Sequence, residues 1–224
     1  MRDGWEARTA WLGLVLGAFV GVAIGVIGEQ ASARAVGDEV EVLGRVQSRD
    51  PHIRVVTDVC GARRWGSGAV LDDGTLLTNR HVVEGGSRVT VLIGDREVIP
   101  LEVGAASGLD VARLVMPPGS LQEWEPTEVG VMTAGEQIRL STAYGSADAT
   151  VVGPRAGVSP GDPPVAWELD APAPAGMSGG AVLDAEGRLV GMVYAAALQD
   201  AAALVIPAAD AAAAATTPLG QSRC

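Results

Sequence analysis

The sequence predicts an all-β main domain built from two six-stranded barrels packed against each other. Short runs of Val, Leu and Ile, separated by Gly, Asp and Pro, begin near residue 51 and continue to about residue 207. Six such runs precede Pro117-Pro118-Gly119, which interrupts the pattern, and about seven runs follow it. We therefore place barrel one at about 51–117 and barrel two at about 126–207, within a domain that spans 51–224.

The composition fits a large aliphatic core and argues against a nucleic-acid partner. Hydrophobic residues make up 48% of the 224 residues but aromatic residues only 4%, so Val, Leu, Ile and Ala must fill most of the core. The net charge is −11 and no basic stretch recurs along the chain, whereas nucleic-acid binding relies on clustered basic side chains. Nucleic acid is therefore not an expected partner.

The first element in chain order is an uncharged apolar segment at 10–28, which follows a short amino-terminal stretch at 1–9. Its 19 positions correspond to about one bilayer thickness as a helix. Arg2 and Arg8 precede it and favour a cytoplasmic amino terminus, so we expect a single-pass signal anchor. The alternative is a cleaved signal peptide, because Ala31-Ser32-Ala33 fits the small-residue cleavage pattern. Both alternatives place the main domain outside the cytoplasm.

A polar spacer at 29–50 leads to the predicted strands. In barrel one the strands are predicted at 53–59, 68–71, 76–78, 88–93, 98–103 and 111–115. A crossover at 121–126 joins the barrels. In barrel two the strands are predicted at 127–129, 137–142, 147–152, 165–169, 181–183, 188–194 and 203–206. The alanine-rich tail at 207–216 is typical of a short carboxyl-terminal helix.

A single serine flanked by glycines is the main candidate for a catalytic residue. Ser178 lies in Gly176-Met177-Ser178-Gly179-Gly180, between a proline-rich loop and an apolar run. Glycine permits backbone conformations that a Cβ would forbid, so the N–H groups of Gly176 and Ser178 can both point to one spot beside the hydroxyl. An acyl-transfer nucleophile needs such donors for the developing oxyanion. The competing interpretation is an ordinary turn in a glycine-rich protein.

Two further residues would complete a serine-based site. A serine hydroxyl is a poor nucleophile unless a base takes its proton. Of the two histidines, His81 follows a predicted strand, whereas His52 lies at the start of the domain and is expected on the surface. Asp110 offers a carboxylate at the entry to an apolar run. We take His81 as the candidate base and Asp110 as the group that orients it.

Three motifs together resemble those of the trypsin-like (chymotrypsin-fold) serine proteases. They are G-S-G-x-V-L followed by L-L-T-N-x-H-V-V, then L-D-V-A-x-L, then G-x-S-G-G with a following G-R-L-V-G-M-V. The resemblance covers about 51–207 and is nearest to the bacterial branch with the HtrA-type and the membrane-tethered MarP-like proteases. The order His, Asp, Ser separates this fold from subtilisin-like and α/β-hydrolase enzymes. No segment of PDZ length follows the protease region, which departs from HtrA-type proteins.

The resemblance implies antiparallel Greek-key barrels with a short carboxyl-terminal helix, and a serine endopeptidase that needs no cofactor or metal. It assigns Ser178 as nucleophile, His81 as general base and then general acid, and Asp110 as the residue that orients the imidazole. The oxyanion hole would be the N–H groups of Gly176 and Ser178, and the substrate a protein or peptide. The alternatives are a catalytically silent domain of this fold that binds peptides, and an acyl hydrolase of another fold.

The resemblance also locates a substrate pocket and one departure from the family. Tyr194, Ala195 and Ala196 match the strand along the primary pocket, and the region before the serine, 171–175, supplies no acid at the usual pocket base. We therefore expect no preference for Arg or Lys before the scissile bond. Met177 stands where animal trypsin-like enzymes carry an aspartate that pairs with a newly cut amino terminus, so that route of activation is not expected.

The two cysteines, Cys60 and Cys224, could pair in an oxidising compartment and tie the tail to barrel one. Two free thiols are the alternative. The MarP-like enzymes are similar in joining the two ends of the protease domain by a disulfide, so the resemblance favours the pair. The neighbourhoods of the cysteines and histidines do not have the spacing of a zinc site.

Overall fold

The computed structural model describes residues 52–122, 124, 127–157, 161–196 and 202–220. In the amino-terminal half the strands are β1 (Ile53–Val59), β2 (Ala62–Ser67), β3 (Ala69–Val70), β4 (Thr75–Thr78), β5 (Arg88–Ile93), β6 (Arg96–Val98), β7 (Glu102–Ala106) and β8 (Ala112–Val115). In the carboxyl-terminal half they are β9 (Gln137–Thr142), β10 (Gly145–Ala156), β11 (Val165–Pro172), β12 (Ala181–Leu183), β13 (Leu189–Ala196), β14 (Ala202–Pro207) and β15 (Thr216–Pro218). The helices are α1 (Arg80–Val83) and α2 (Ala208–Ala213). The predicted all-β class is therefore confirmed.

The strands of the amino-terminal half, together with β15 from the tail, form two antiparallel sheets, β2-β1-β5-β6 and β15-β7-β8-β4-β3. This differs from the closed six-stranded barrel predicted for 51–117. The run at 98–103 is divided because β6 ends at Val98 and β7 begins at Glu102. Pro100 lies between them and has no N–H to continue a ladder. Aliphatic side chains from both sheets nevertheless share one core, which includes Val55, Leu76, Val91 and Leu114.

The carboxyl-terminal half contains the closed barrel that the sequence predicts, in the order β10-β11-β14-β13-β12-β9. β9 shows why its residues form a barrel wall, since Ile138 and Leu140 are buried and alternate with exposed neighbours. The run at 127–129 is not a strand. It makes a parallel bridge from Val129 to Leu189, and its burial does not alternate, since Glu128 and Val129 are both exposed.

The tail is helical only at first, so the helix predicted at 207–216 is too long. α2 ends at Ala213, and β15 then pairs antiparallel with β7, with Thr216 opposite Ala106. Small side chains let α2 lie close to β13 and β14, and Ala211 is fully buried. Arg113 of β8 donates from Nη2 to the carbonyl of Ala212 at 2.6 Å. The tail thus connects the barrel to the sheet of the other half.

Within the described residues, neither helix has the length and apolar character needed to cross a bilayer. The predicted anchor at 10–28 and the spacer at 29–50 lie outside those residues, as does Cys224. The anchor, its cleaved alternative and the disulfide therefore stay predictions.

Candidate active site

His81 lies in the first turn after β4, on the short helix α1. The two residues that follow it, Val82 and Val83, are 1% and 2% exposed and hold the helix in the core. The His81 side chain, 48% exposed, projects from the opposite side. Just before the helix, Asn79 is fully buried and donates from Nδ2 to the carbonyl of Asp110 at 2.7 Å. The start of the helix is therefore fixed to the Asp110 backbone.

Asp110 contacts both the ring and the backbone of His81. Its Oδ2 lies 2.6 Å from Nδ1 of the imidazole, and its Oδ1 accepts the N–H of His81 at 2.9 Å. The Asp110 side chain is only 18% exposed, and its own N–H donates to the carbonyl of Gly161 at 2.9 Å. A carboxylate on Nδ1 favours a proton there, which leaves Nε2 as the acceptor on the imidazole. This is the arrangement of an oriented general base.

Ser178 lies in a loop of the carboxyl-terminal half that backbone hydrogen bonds fix on both sides. The N–H of Gly179 donates to the carbonyl of Val193 at 2.8 Å, and the N–H of Val193 donates to Gly180 at 2.9 Å. From the amino-terminal half, the N–H of Ser67 donates to the carbonyl of Ser178 at 2.7 Å. The nucleophile candidate is thus positioned where the two halves meet.

Gly66 shows how near the serine loop lies to the histidine helix. A Cβ at this position would fall 2.7 Å from the carbonyl oxygen of Ser178 and 2.7 Å from Cγ2 of Val82, which follows His81 in the chain. The absence of a side chain at Gly66 therefore allows the Ser178 backbone and α1 to contact the same strand. The structure pairs His81 with Asp110 directly and brings Ser178 to the same border between the halves.

Gly176, the other predicted oxyanion donor, has a φ of +92°, a conformation that favours glycine. Its carbonyl accepts the Ser67 hydroxyl at 2.8 Å. Among the described residues, the N–H groups of Gly176 and Ser178 donate to no protein acceptor. Two backbone donors in one loop, without acceptors from that part of the chain, are what an oxyanion hole requires.

A cavity of about 550 Å³ lies beside the His81–Asp110 pair. Of the three residues predicted for the substrate pocket, Tyr194 and Ala195 line this cavity, whereas Ala196 is exposed and does not. The sequence interpretation missed Asp162, which also lines the cavity. The available signal was its position as an acidic residue in the Gly-Asp-Pro-Pro turn before β11. Among the described residues, no three His, Cys, Asp or Glu side chains cluster as ligands for a metal.

Tyr194 makes the free energy of unfolding depend on pH in the alkaline range. The side chain is 5% exposed, and burial, together with the nearby Asp162 carboxylate, raises the pKa of Tyr194 above its ordinary value. The folded protein then keeps the phenol proton at a pH where the unfolded chain loses it. The stability that the protonated Tyr194 phenol contributes is fully present below the ordinary pKa of about 10. It is lost as the pH rises above that value.

We expect Tyr194→Phe to flatten that alkaline loss of stability. Urea unfolding measured from about pH 9 to about pH 11 should show the free energy of unfolding falling less steeply in the variant than in the wild type. Phenylalanine keeps the buried ring, so the comparison isolates the hydroxyl. Parallel pH profiles for the two proteins would contradict the assignment.

Residues 66–192 match the family of trypsin-like peptidase domains. Serine protease Rv3671c of Mycobacterium tuberculosis H37Rv and serine protease MT3772 of strain CDC 1551 are each 31% identical to the chain over 204 residues. The match covers 77% of this chain and 48% of each relative, so the chain spans about half the length of these relatives.

Solved structures show the same fold. The crystal structure of Rv3671c protease in its active form superposes with a TM-score of 0.66 at 25% identity, covering 78% of this chain and 85% of that one. The HtrA-type protease AlgW with a tripeptide gives a TM-score of 0.62 at 22% identity, covering 72% and 57%. This second likeness extends to the fold alone.

Proposed function

The chain belongs to the trypsin-like peptidase family and is a serine-type hydrolase, and from this premise we propose that it is an endopeptidase with Ser178 as nucleophile. The observation that carries the proposal is the double contact between Asp110 and His81, one through the ring and one through the backbone. A carboxylate held in this way fixes the direction of the imidazole, which is what a general base for a serine hydroxyl needs.

In the proposed reaction, Ser178 Oγ attacks the carbonyl carbon of the scissile peptide while His81 Nε2 takes the hydroxyl proton. Asp110 stabilises the imidazolium, and the N–H groups of Gly176 and Ser178 donate to the oxyanion. The C–N bond then breaks, and the amine leaves with the proton from His81. Water then attacks the acyl-enzyme while His81 takes a proton from the water and returns it to Ser178 Oγ. This step releases the acid product and restores Ser178.

We assign Tyr194 and Ala195 to the wall that receives the substrate. Both line the cavity that contains His81 and Asp110, so a peptide bound there would lie beside the base. Ala196, at the exposed end of β13, does not line that cavity. The substrate class follows from the family, whose members hydrolyse protein or peptide bonds.

A fluorophosphonate probe tests the proposal, because it reacts with an activated serine hydroxyl and not with an ordinary one. We expect stoichiometric labelling of the folded protein, with mass-spectrometric peptide mapping that locates the adduct on Ser178. Heat-unfolded protein is the control and should stay unlabelled. A folded protein that binds peptides but reacts no faster than this control is a catalytically silent domain, and a label on another serine would contradict the assignment.

Extracytoplasmic action and a single-pass membrane anchor at 10–28 complete the proposal, supported by the uncharged segment and by the similarity to the MarP-like branch. Cys60 is exposed and lies in the turn between β1 and β2. We propose that Cys60 pairs with Cys224 there.

The proposed disulfide predicts that maleimide labelling of the denatured, non-reduced protein finds no thiol. The same labelling after reduction should find both cysteines, because the disulfide is then broken. Cys60→Ser, which would release Cys224, is the matched control and should give one thiol without reduction. Two reactive thiols in non-reduced wild-type protein would contradict the pairing.

A further inference from the structure

Tyr144 makes a hydrogen bond that the proposed reaction does not use. The residue follows β9 and is half-buried, and its hydroxyl donates to the carbonyl of Ala175 at 2.5 Å. Ala175 directly precedes Gly176, the first of the two proposed oxyanion donors. The contact therefore acts on the peptide unit that contains the Gly176 N–H.

The residues around this peptide form a type II turn. The N–H of Met177 donates to the carbonyl of Pro174 at 3.2 Å, which closes a four-residue turn. Its third residue, Gly176, has a positive φ of +92°, and its second, Ala175, has a negative φ. A negative φ followed by a positive φ at the two central positions defines type II.

In the alternative, a type I turn, the N–H of Gly176 would point in the opposite direction. The two turn types differ in the central dihedral angles such that the middle peptide unit is rotated by about 180°. In a planar trans peptide the carbonyl and the N–H point in opposite directions. A bond that holds the Ala175 carbonyl therefore also fixes the direction of the Gly176 N–H. Without it, the turn can exchange between a form that offers this donor and one that withdraws it.

Neighbouring contacts keep Tyr144 in place for this role. The rings of Tyr144 and Trp65 meet edge to face, with centroids 5.1 Å apart. Trp65 in turn covers Gly176, where a Cβ would fall 2.7 Å from Cε3 of the indole. On the other side, the Ser67 hydroxyl donates to the carbonyl of Gly176 and accepts the N–H of Ala143, each at 2.8 Å. The turn at 174–177 and the residues at 143–144 are thus held by shared partners.

We propose that Tyr144 is a positioning residue whose hydroxyl selects the type II form of the turn at 174–177 and so directs the Gly176 N–H at the reacting carbonyl oxygen. The proposal rests on the proposed function, because it assigns Tyr144 a part in stabilising the oxyanion of that reaction. The group that the Gly176 N–H binds is the oxyanion of the tetrahedral intermediate, not the carbonyl of the ground-state peptide.

Tyr144→Phe tests the proposal, because it removes only the hydroxyl and keeps the ring against Trp65. The measurements are kcat and KM on a fluorogenic peptide, the affinity for a peptide boronate that forms a tetrahedral adduct, and the thermal midpoint. We expect kcat and boronate affinity to fall about tenfold, the equivalent of one hydrogen bond, with KM changed less than about twofold. The matched control is Ser87→Ala, which also removes a hydroxyl donor to a backbone carbonyl, that of Asp58 at 3.1 Å, and should change neither kcat nor boronate affinity.

The other outcomes overturn the proposal in distinguishable ways. An unchanged kcat and boronate affinity in Tyr144→Phe would show that the hydroxyl does not direct the donor, while the proposed protease function stands. A lower thermal midpoint with KM raised as much as kcat is lowered would indicate a structural role instead. A wild-type protein inert to both substrate and boronate would refute the proposed function itself, and the assignment of Tyr144 with it.

Discussion

Replacing Asp110 with asparagine is expected to lower kcat by about ten-thousand-fold while the protein stays folded. The asparagine oxygen can still accept the backbone N–H of His81, as Oδ1 of the carboxylate does at 2.9 Å. The amide N–H₂ would then face Nδ1, where Oδ2 lies at 2.6 Å. Two donors cannot share one hydrogen bond, so the imidazole adopts the tautomer with its proton on Nε2 and cannot accept the proton of Ser178.

Steady-state kinetics on a peptide substrate measure this loss, and two variants calibrate it. Ser178→Ala gives the activity that remains without a nucleophile. Asp58→Asn removes an exposed carboxylate of β1, which pairs with Arg63 at 3.2 Å, and should leave kcat unchanged. Activity of Asp110→Asn within about tenfold of the wild type would show that Asp110 does not orient the base.

Replacing Gly179 with alanine is expected to destabilise the fold by at least about 4 kcal/mol, or to prevent folding. The residue has a φ of +88°, and a Cβ there would clash with the carbonyl oxygen of Ser67 and lie 2.6 Å from Oγ1 of Thr78. Neither atom can withdraw easily, because the Thr78 hydroxyl donates to that same carbonyl at 2.8 Å in a fully buried site. The added methyl group would therefore push the Ser178 loop away from the ends of β2 and β4.

Gly187→Ala is the matched control for this effect. Gly187 has a similar φ of +81°, but a Cβ there would meet no atom within 4 Å. Gly187→Ala should lower the free energy of unfolding by only about 1–2 kcal/mol, the strain of a non-glycine residue in the left-handed region. Urea unfolding of the two variants separates conformational strain from steric clash. Equal losses of stability would show that the contact with Ser67 does not determine the cost at Gly179.

The features that the sequence predicted correctly are those that leave a local pattern. Alternation along Ile138 and Leu140 marks a barrel strand, and the glycines around Ser178 mark a tight loop. The motifs also led us to expect that Asp110 orients His81, and the structure shows these two side chains in contact, while their catalytic role stays a prediction. These patterns depend on side-chain periodicity and on backbone conformation, which neighbouring residues largely determine.

Other features depend on pairing between distant segments and leave little local trace. β15 consists of Thr216-Thr217-Pro218, which has no apolar alternation, and it becomes a strand only because β7 offers an unpaired edge. Likewise, the hydroxyl of Tyr144 acquires its partner from a loop about thirty residues later, at Ala175. The division of 98–103 was visible at Pro100, since proline cannot donate to a ladder.

The pairing of β15 with β7 has a consequence for the proposed His81–Asp110 pair. Ala106, opposite Thr216, donates its N–H to Val111 and accepts Arg80 of α1 through its carbonyl at 2.9 Å. It therefore belongs at once to the edge covered by the tail, to the hairpin that presents Asp110 and to the helix that presents His81. Removing the chain from Thr216 onward, by a protease or by a stop codon, is expected to expose the edge of β7 and to loosen the hairpin. We therefore expect the tail to stabilise the proposed His81–Asp110 pair from a distance.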